Sequence, residues 1–131
     1  MIQNLLLYNN IFELICAKKK NICDLGCGFG VMTKTLANLG ENIVALDYLN
    51  NLLAEAKISN KSFNNIEYKL FDIFCDELES NKFDIVLARE FHPFTRDWYS
   101  NREEAILNHN NIFKKLYSTL EKDGYLIIVH N

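Results

Sequence analysis

Three glycines spaced two apart, in Asp24-Leu25-Gly26-Cys27-Gly28-Phe29-Gly30, are the residues of this chain best suited to holding a ligand. A residue without a Cβ lets the backbone take left-handed angles and lets a ligand lie against the main chain. The loop follows the short apolar run Ile22 to Leu25 and precedes a helical pattern from Val31 to Leu39. A bend between strand and helix is where open α/β sheets take up ligands, beyond the carboxyl ends of their strands. Asp47 closes a second apolar run about 20 residues later, where a carboxylate can accept hydrogen bonds from both ribose hydroxyls. An aspartate at a strand end is also an ordinary turn former; its pairing with the glycine loop favours the ribose. A dinucleotide fingerprint needs G-x-G-x-x-G. Here the glycines run G-x-G-x-G and Val31 follows Gly30, which counts against a nicotinamide-dependent oxidoreductase.

The elements that must position these residues are legible as alternating patterns. Apolar residues Ile2, Leu5, Leu6, Phe12, Ile15 and Cys16 predict an N-terminal helix over about 2–19. Strands are expected at 22–25, 42–47, 66–71, 83–88 and 125–129. Between them come a helix over 31–39 with Gly40 at its C-cap, and a helix over 49–58. A short helix is expected over 74–78, and Ser100 with Glu103 forms a capping-box pattern opening a helix to about Leu120. Asp123-Gly124 reads as a turn into the fifth strand. Strands alternating with helices imply βαβ units, a parallel sheet and right-handed crossovers. The near-continuous apolar strands agree, since both faces of such a sheet are covered. Residues 1–131 therefore read as one α/β, doubly wound domain, its core from about residue 22 onward.

Composition narrows the function further. The 131 residues carry a formal net charge of -3, and the only basic run, Lys18-Lys19-Lys20, suits the C-terminus of the first helix. A nucleic-acid partner is not expected, because phosphate neutralisation needs a clustered basic face. No apolar run approaches the roughly 20 residues that span a bilayer, so no membrane association is expected. The four cysteines, Cys16, Cys23, Cys27 and Cys75, show no CxxC spacing and no nearby histidine pair. No metal site is expected, and reduced thiols fit a cytoplasmic location.

The order Asp24 to Gly30, then Val44-Ala45-Leu46-Asp47, Phe71-Asp72-Ile73 and Phe83-Asp84-Ile85-Val86-Leu87 resembles the class I S-adenosylmethionine-dependent methyltransferases. Leu120 to Leu126 resembles their turn before the fifth strand, so the likeness runs from about Ile22 to the chain end. It implies a Rossmann-like sheet of about five strands in the order 3-2-1-4-5, with helices on both faces and S-adenosylmethionine as cofactor. Gly26, Cys27, Gly28 and Gly30 would form the loop lining the methionine and ribose portions. Asp24 would stand near the methionine amino group or orient the loop. Asp47 would hold the ribose hydroxyls, and Tyr48 would pack on adenine or stand as a solvent-side aromatic. Asp72 would accept from the adenine amino group or cap a helix, the Ile73 amide would address the ring, and Ala88 and Arg89 would flank the methionine end.

Methyl transfer from a sulfonium is an in-line displacement in which positioning supplies most of the acceleration. An acceptor hydroxyl or ammonium must still lose a proton, work suited to an imidazole titrating near neutrality. His92, in Glu90-Phe91-His92-Pro93-Phe94, is the expected base and Glu90 its rival; a histidine among aromatics is also a common packing residue. Arg96, Trp98 and Tyr99 would shape an acceptor pocket or dock the following helix. One proline stands where DNA amino-methylating enzymes carry two, which disfavours base methylation. The expected function is methyl transfer to the oxygen or nitrogen of a small-molecule or glycan-type acceptor. The alternative is a degenerate or truncated binding domain serving as a partner subunit. The sequence stops right after the fifth strand, so truncation and a homo-oligomer formed through the exposed strand edge are expected.

Overall fold

In a computed structural model, Asn10 and residues 21–130 are described; the helix expected over about 2–19 otherwise lies outside them. The element order is β1 (Asn21–Leu25), α1 (Val31–Leu39), β2 (Asn42–Asp47), α2 (Asn50–Ser59), β3 (Ile66–Leu70), β4 (Phe83–Arg89), α3 (Arg102–Thr119) and β5 (Leu120–Val129). The five strands pair in parallel, in the order β3-β2-β1-β4-β5. This is the expected Rossmann-like order. Chain winding reverses beside β1, the switch point at which such sheets open a crevice.

Both faces of the sheet are filled. On one, Ile22, Ile43, Ile85 and Leu87 pack with Met32 and Leu36 of α1. On the other, Cys23, Leu25, Val44 and Val86 meet Ile112 and Leu116 of α3. Each fully buried Leu, Ile or Phe contributes about 1.5–3 kcal/mol, so the three central strands are the rigid base on which their C-terminal loops stand.

Three local expectations are corrected. Residues 74–78 form no helix: a single turn over 73–75 is followed by irregular chain at 76–78. The Asp72 carboxylate takes the Phe74 amide and the Asp76 carboxylate takes the Asp72 amide, which diverts the first donors a helix would use. The N-cap of α3 is Asn101, one residue later than expected: its side chain accepts from the Glu104 amide, and the Glu104 carboxylate accepts from the Ser100 amide. Adjacent Glu103 and Glu104 made both registers legible in the sequence. Finally, β5 begins at Leu120, opposite Phe83, and Asp123-Gly124 falls at a bulge within it. Asp123 takes φ 62°, and a Cβ on Gly124 would stand 2.9 Å from the Glu121 carbonyl oxygen.

Candidate functional site

The glycine loop is built on β2 as much as on β1. The Gly26 and Cys27 amides both donate to the Leu46 carbonyl, at 2.8 and 3.0 Å, and the Gly30 amide donates to the Cys27 carbonyl. Cys27 turns its side chain down onto Ala45 and Leu53, anchoring the loop from below. Gly26, Gly28 and Gly30 all have left-handed φ, at 75°, 54° and 82°. Their surroundings differ. A Cβ on Gly28 would meet nothing within 4 Å, whereas one on Gly30 would stand 2.6 Å from Asn60 Nδ2 and 2.9 Å from Ala56 Cβ. Gly28 faces open space; Gly30 is the packing contact that seats the loop on α2.

Beyond the strand ends lies a cavity of about 420 Å³. Of the expected residues, Gly26, Gly28, Asp47, Tyr48, Asp72, Ile73, Glu90 and His92 line it. Asp24, Cys27, Gly30, Ala88 and Arg89 are not on its wall. Ala88 is fully buried, and the Arg89 charge acts on Asp24. Trp98 lines the cavity and Tyr99 does not; the Arg96 side chain lies outside the described residues. Leu46, Leu49, Leu52, Phe71, Phe91 and Pro93 also line it without having been expected. Leu52 apart, their signal was an apolar residue immediately beside a candidate, a pattern that core packing produces equally well.

Asp47 is the best-defined polar group on that wall. It is only 8% exposed. One carboxylate oxygen accepts from the Gly28 amide and the other from the Leu49 amide, both at 2.9 Å. Each carboxylate oxygen can take about two hydrogen bonds, so capacity remains on both for a ligand's paired hydroxyls.

Asp24 is 2% exposed and accepts from the Thr33 hydroxyl at 2.7 Å, tying the end of β1 to the first turns of α1. Burial pushes its carboxyl up to about 6, against the pull of the Thr33 hydrogen bond and the Arg89 charge. Burial and the neighbouring Asp24 carboxylate push the Cys23 and Cys27 thiols far up, so neither is a thiolate nucleophile.

The segment after β3 forms the opposite wall. Within it, the amides of Asp72, Phe74, Cys75 and Asp76 all donate back into the segment. Among the described residues the Ile73 amide donates to none. At the mouth, His92 stacks on Trp98 with ring centroids 5.8 Å apart, and Phe91 packs edge-on against Phe94. Gly26 lets this aromatic cluster close in, since a Cβ there would stand 3.0 Å from the Phe91 ring.

The sequence profile of a family described as a methyltransferase domain matches residues 17–131. A ubiquinone biosynthesis O-methyltransferase from Bradyrhizobium diazoefficiens is 30% identical over 118 residues, covering 87% of this chain and 45% of that protein. The chain thus spans less than half the length of that relative. Among solved structures, coclaurine N-methyltransferase bound to N-methylheliamine and S-adenosylhomocysteine superposes with a TM-score of 0.75 at 23% identity, over 97% of this chain and 35% of that one. N-methyltransferase NodS from Bradyrhizobium japonicum WM9, in complex with S-adenosylhomocysteine, gives 0.71 at 15% identity, over 92% and 60%. These two likenesses establish a shared fold.

Proposed function

The chain belongs to the methyltransferase domain family, and on that premise we propose that it binds S-adenosylmethionine in the cavity and transfers its methyl group to a small-molecule acceptor. The observation that carries the reading is Asp47, fastened by the Gly28 and Leu49 amides with acceptor capacity left on both oxygens. The chain's own residues fit an adenosyl group. Open space above Gly28 receives the ribose and methionine portions, Asp47 takes the ribose hydroxyls, and Tyr48 lies against the base. Asp72 and the Ile73 amide address the polar edge of adenine. Asp24, buried and tied to Thr33, orients the loop from behind. When bound, the cofactor supplies a sulfonium-activated methyl group.

His92 at the cavity wall removes the acceptor proton, with Glu90, two residues earlier on the same wall, as the second candidate. The O- and N-methyltransferases named above support an acceptor hydroxyl or amine on a small molecule, a glycan-type hydroxyl included. We place the protein in the cytoplasm on the strength of its reduced-thiol composition; no described helix is long and apolar enough to cross a membrane. A second reading, a domain that binds the donor and serves as a partner subunit, is favoured by the β5 edge, which no described strand covers. Binding of the donor with no methylated product from any acceptor would select it.

Calorimetric titration with S-adenosylhomocysteine tests the main reading. Hydrogen bonds to a charged group contribute about 1.5–3 kcal/mol, so Asp47→Ala should weaken binding roughly tenfold or more. Unchanged affinity would sink the assignment.

A further inference from the structure

Lys115, on α3, lies well away from the glycine loop, yet its ammonium is the hub of the segment forming the opposite cavity wall. Nζ donates to the Ile73 carbonyl at 2.8 Å and to the Asp76 carbonyl at 2.6 Å, and lies 3.7 Å from a Glu77 carboxylate oxygen. Its side chain is 16% exposed. An ammonium has three donors and no acceptor. Here two are spent on backbone carbonyls of one short segment and the third side meets a carboxylate of the same segment. One turn further along α3, the Thr119 hydroxyl donates to the Glu79 carbonyl. The helix therefore grips the β3–β4 connection at two points on one face, Lys115 being the point nearer the cavity.

We propose that Lys115 is a positioning residue for the adenine end of the cofactor. This rests on the proposed function. Within the segment only the Asp72 carbonyl receives main-chain amides, those of Cys75 and Asp76, so the Ile73 and Asp76 carbonyls must be satisfied from elsewhere. Lys115 takes the Ile73 carbonyl, and Ile73 is the residue whose own amide is left without a partner among the described residues while its four neighbours turn theirs inward. Holding that carbonyl fixes how residue 73 is presented to the cavity, and with it Asp72 next in the chain. The lysine makes no contact with the base. It sets the geometry of two groups that read the base, so it acts on selectivity for adenine as well as on affinity.

The test is a pair of ligands differing only at the edge of the base: S-adenosylhomocysteine and its deaminated hypoxanthine analogue, titrated calorimetrically. Wild-type protein should prefer the adenine form. Lys115→Met, which keeps the length of the side chain and removes its donors, should weaken the adenine ligand roughly tenfold and bring the two affinities together. Lys114→Met on the exposed side of α3 controls for loss of a charge and should leave the preference intact. Equal weakening of both ligands, or an unchanged preference in Lys115→Met, would overturn the proposal, because a purely structural role moves both ligands alike. Should Lys115→Met not fold, Lys115→Arg carries the same comparison: its planar fork cannot meet three converging acceptors as a point charge does, so a partial convergence is expected and an unchanged preference overturns the proposal. No binding of either ligand to the wild type would instead refute the cofactor assignment, and an equal wild-type affinity for both would refute the base-reading role of Asp72 and Ile73 and this proposal with it.

Discussion

Asp24 shows how one side chain can be set against stability for the sake of a site. Its carboxyl is pushed up to about 6 by burial, whereas in the unfolded chain it ionises near the ordinary ~3.9. Between those values the folded protein holds a proton that the unfolded chain has released. The stability this group contributes is therefore greatest below about pH 4 and is lost as pH rises through about 6. Asp24→Asn keeps an acceptor for the Thr33 hydroxyl and removes the ionisation. Thermal unfolding should show the variant more stable than wild type near pH 7 by about 3 kcal/mol, with the difference vanishing in acid. Parallel pH profiles for the two proteins would contradict the assignment. The part proposed for Asp24 was half legible: the sequence offered orientation of the loop or contact with the methionine end, and only the burial and the Thr33 hydrogen bond favour the first.

At the scale of the element, the β1–α1 loop separates two glycine functions that look identical in sequence. Gly28→Ala adds a methyl in open cavity space at φ 54°; the strain should cost the fold only about 1 kcal/mol, while S-adenosylhomocysteine affinity falls much further. Gly30→Ala forces a methyl onto Asn60 and Ala56 at φ 82°, and overpacking of that kind costs about 1–3 kcal/mol beyond the strain. Denaturant unfolding and titration of both variants check the contrast; a Gly30→Ala protein as stable as Gly28→Ala would refute it. The strand–loop–helix signature was readable because apolar periodicity and glycine spacing are local. The β3–β4 connection was not, because its shape depends on Lys115, 42 residues from Ile73, and on carboxylates that compete with helical bonding. Phe74 through Leu78 carries enough apolar residues to suggest a turn of helix, and nothing nearby in sequence announces the lysine.

At the scale of the whole molecule, β5 stands at the edge of the sheet among the described residues, with Tyr125 and Ile128 among its exposed large apolar residues. An open edge of this kind templates pairing with another chain. Light scattering across a concentration series should show self-association, and Ile128→Lys should reduce it; a monomer at high concentration would argue against pairing through this edge. Strand order at this scale came from family likeness in the sequence and is the observed one, whereas the bulge at Asp123 depends on how α3 delivers the chain opposite Phe83. The two sides of the cavity also differ in what holds them. Asp47 is clamped through both oxygens by main-chain donors, so its rotamer is set before any nucleoside arrives. On the proposed reading, entry and departure of the donor require no rearrangement on that side, and the entropy of ordering the carboxylate is not charged against affinity. Around His92 the wall is instead made of single turns of 3-10 helix, His92–Phe94 and Arg96–Trp98.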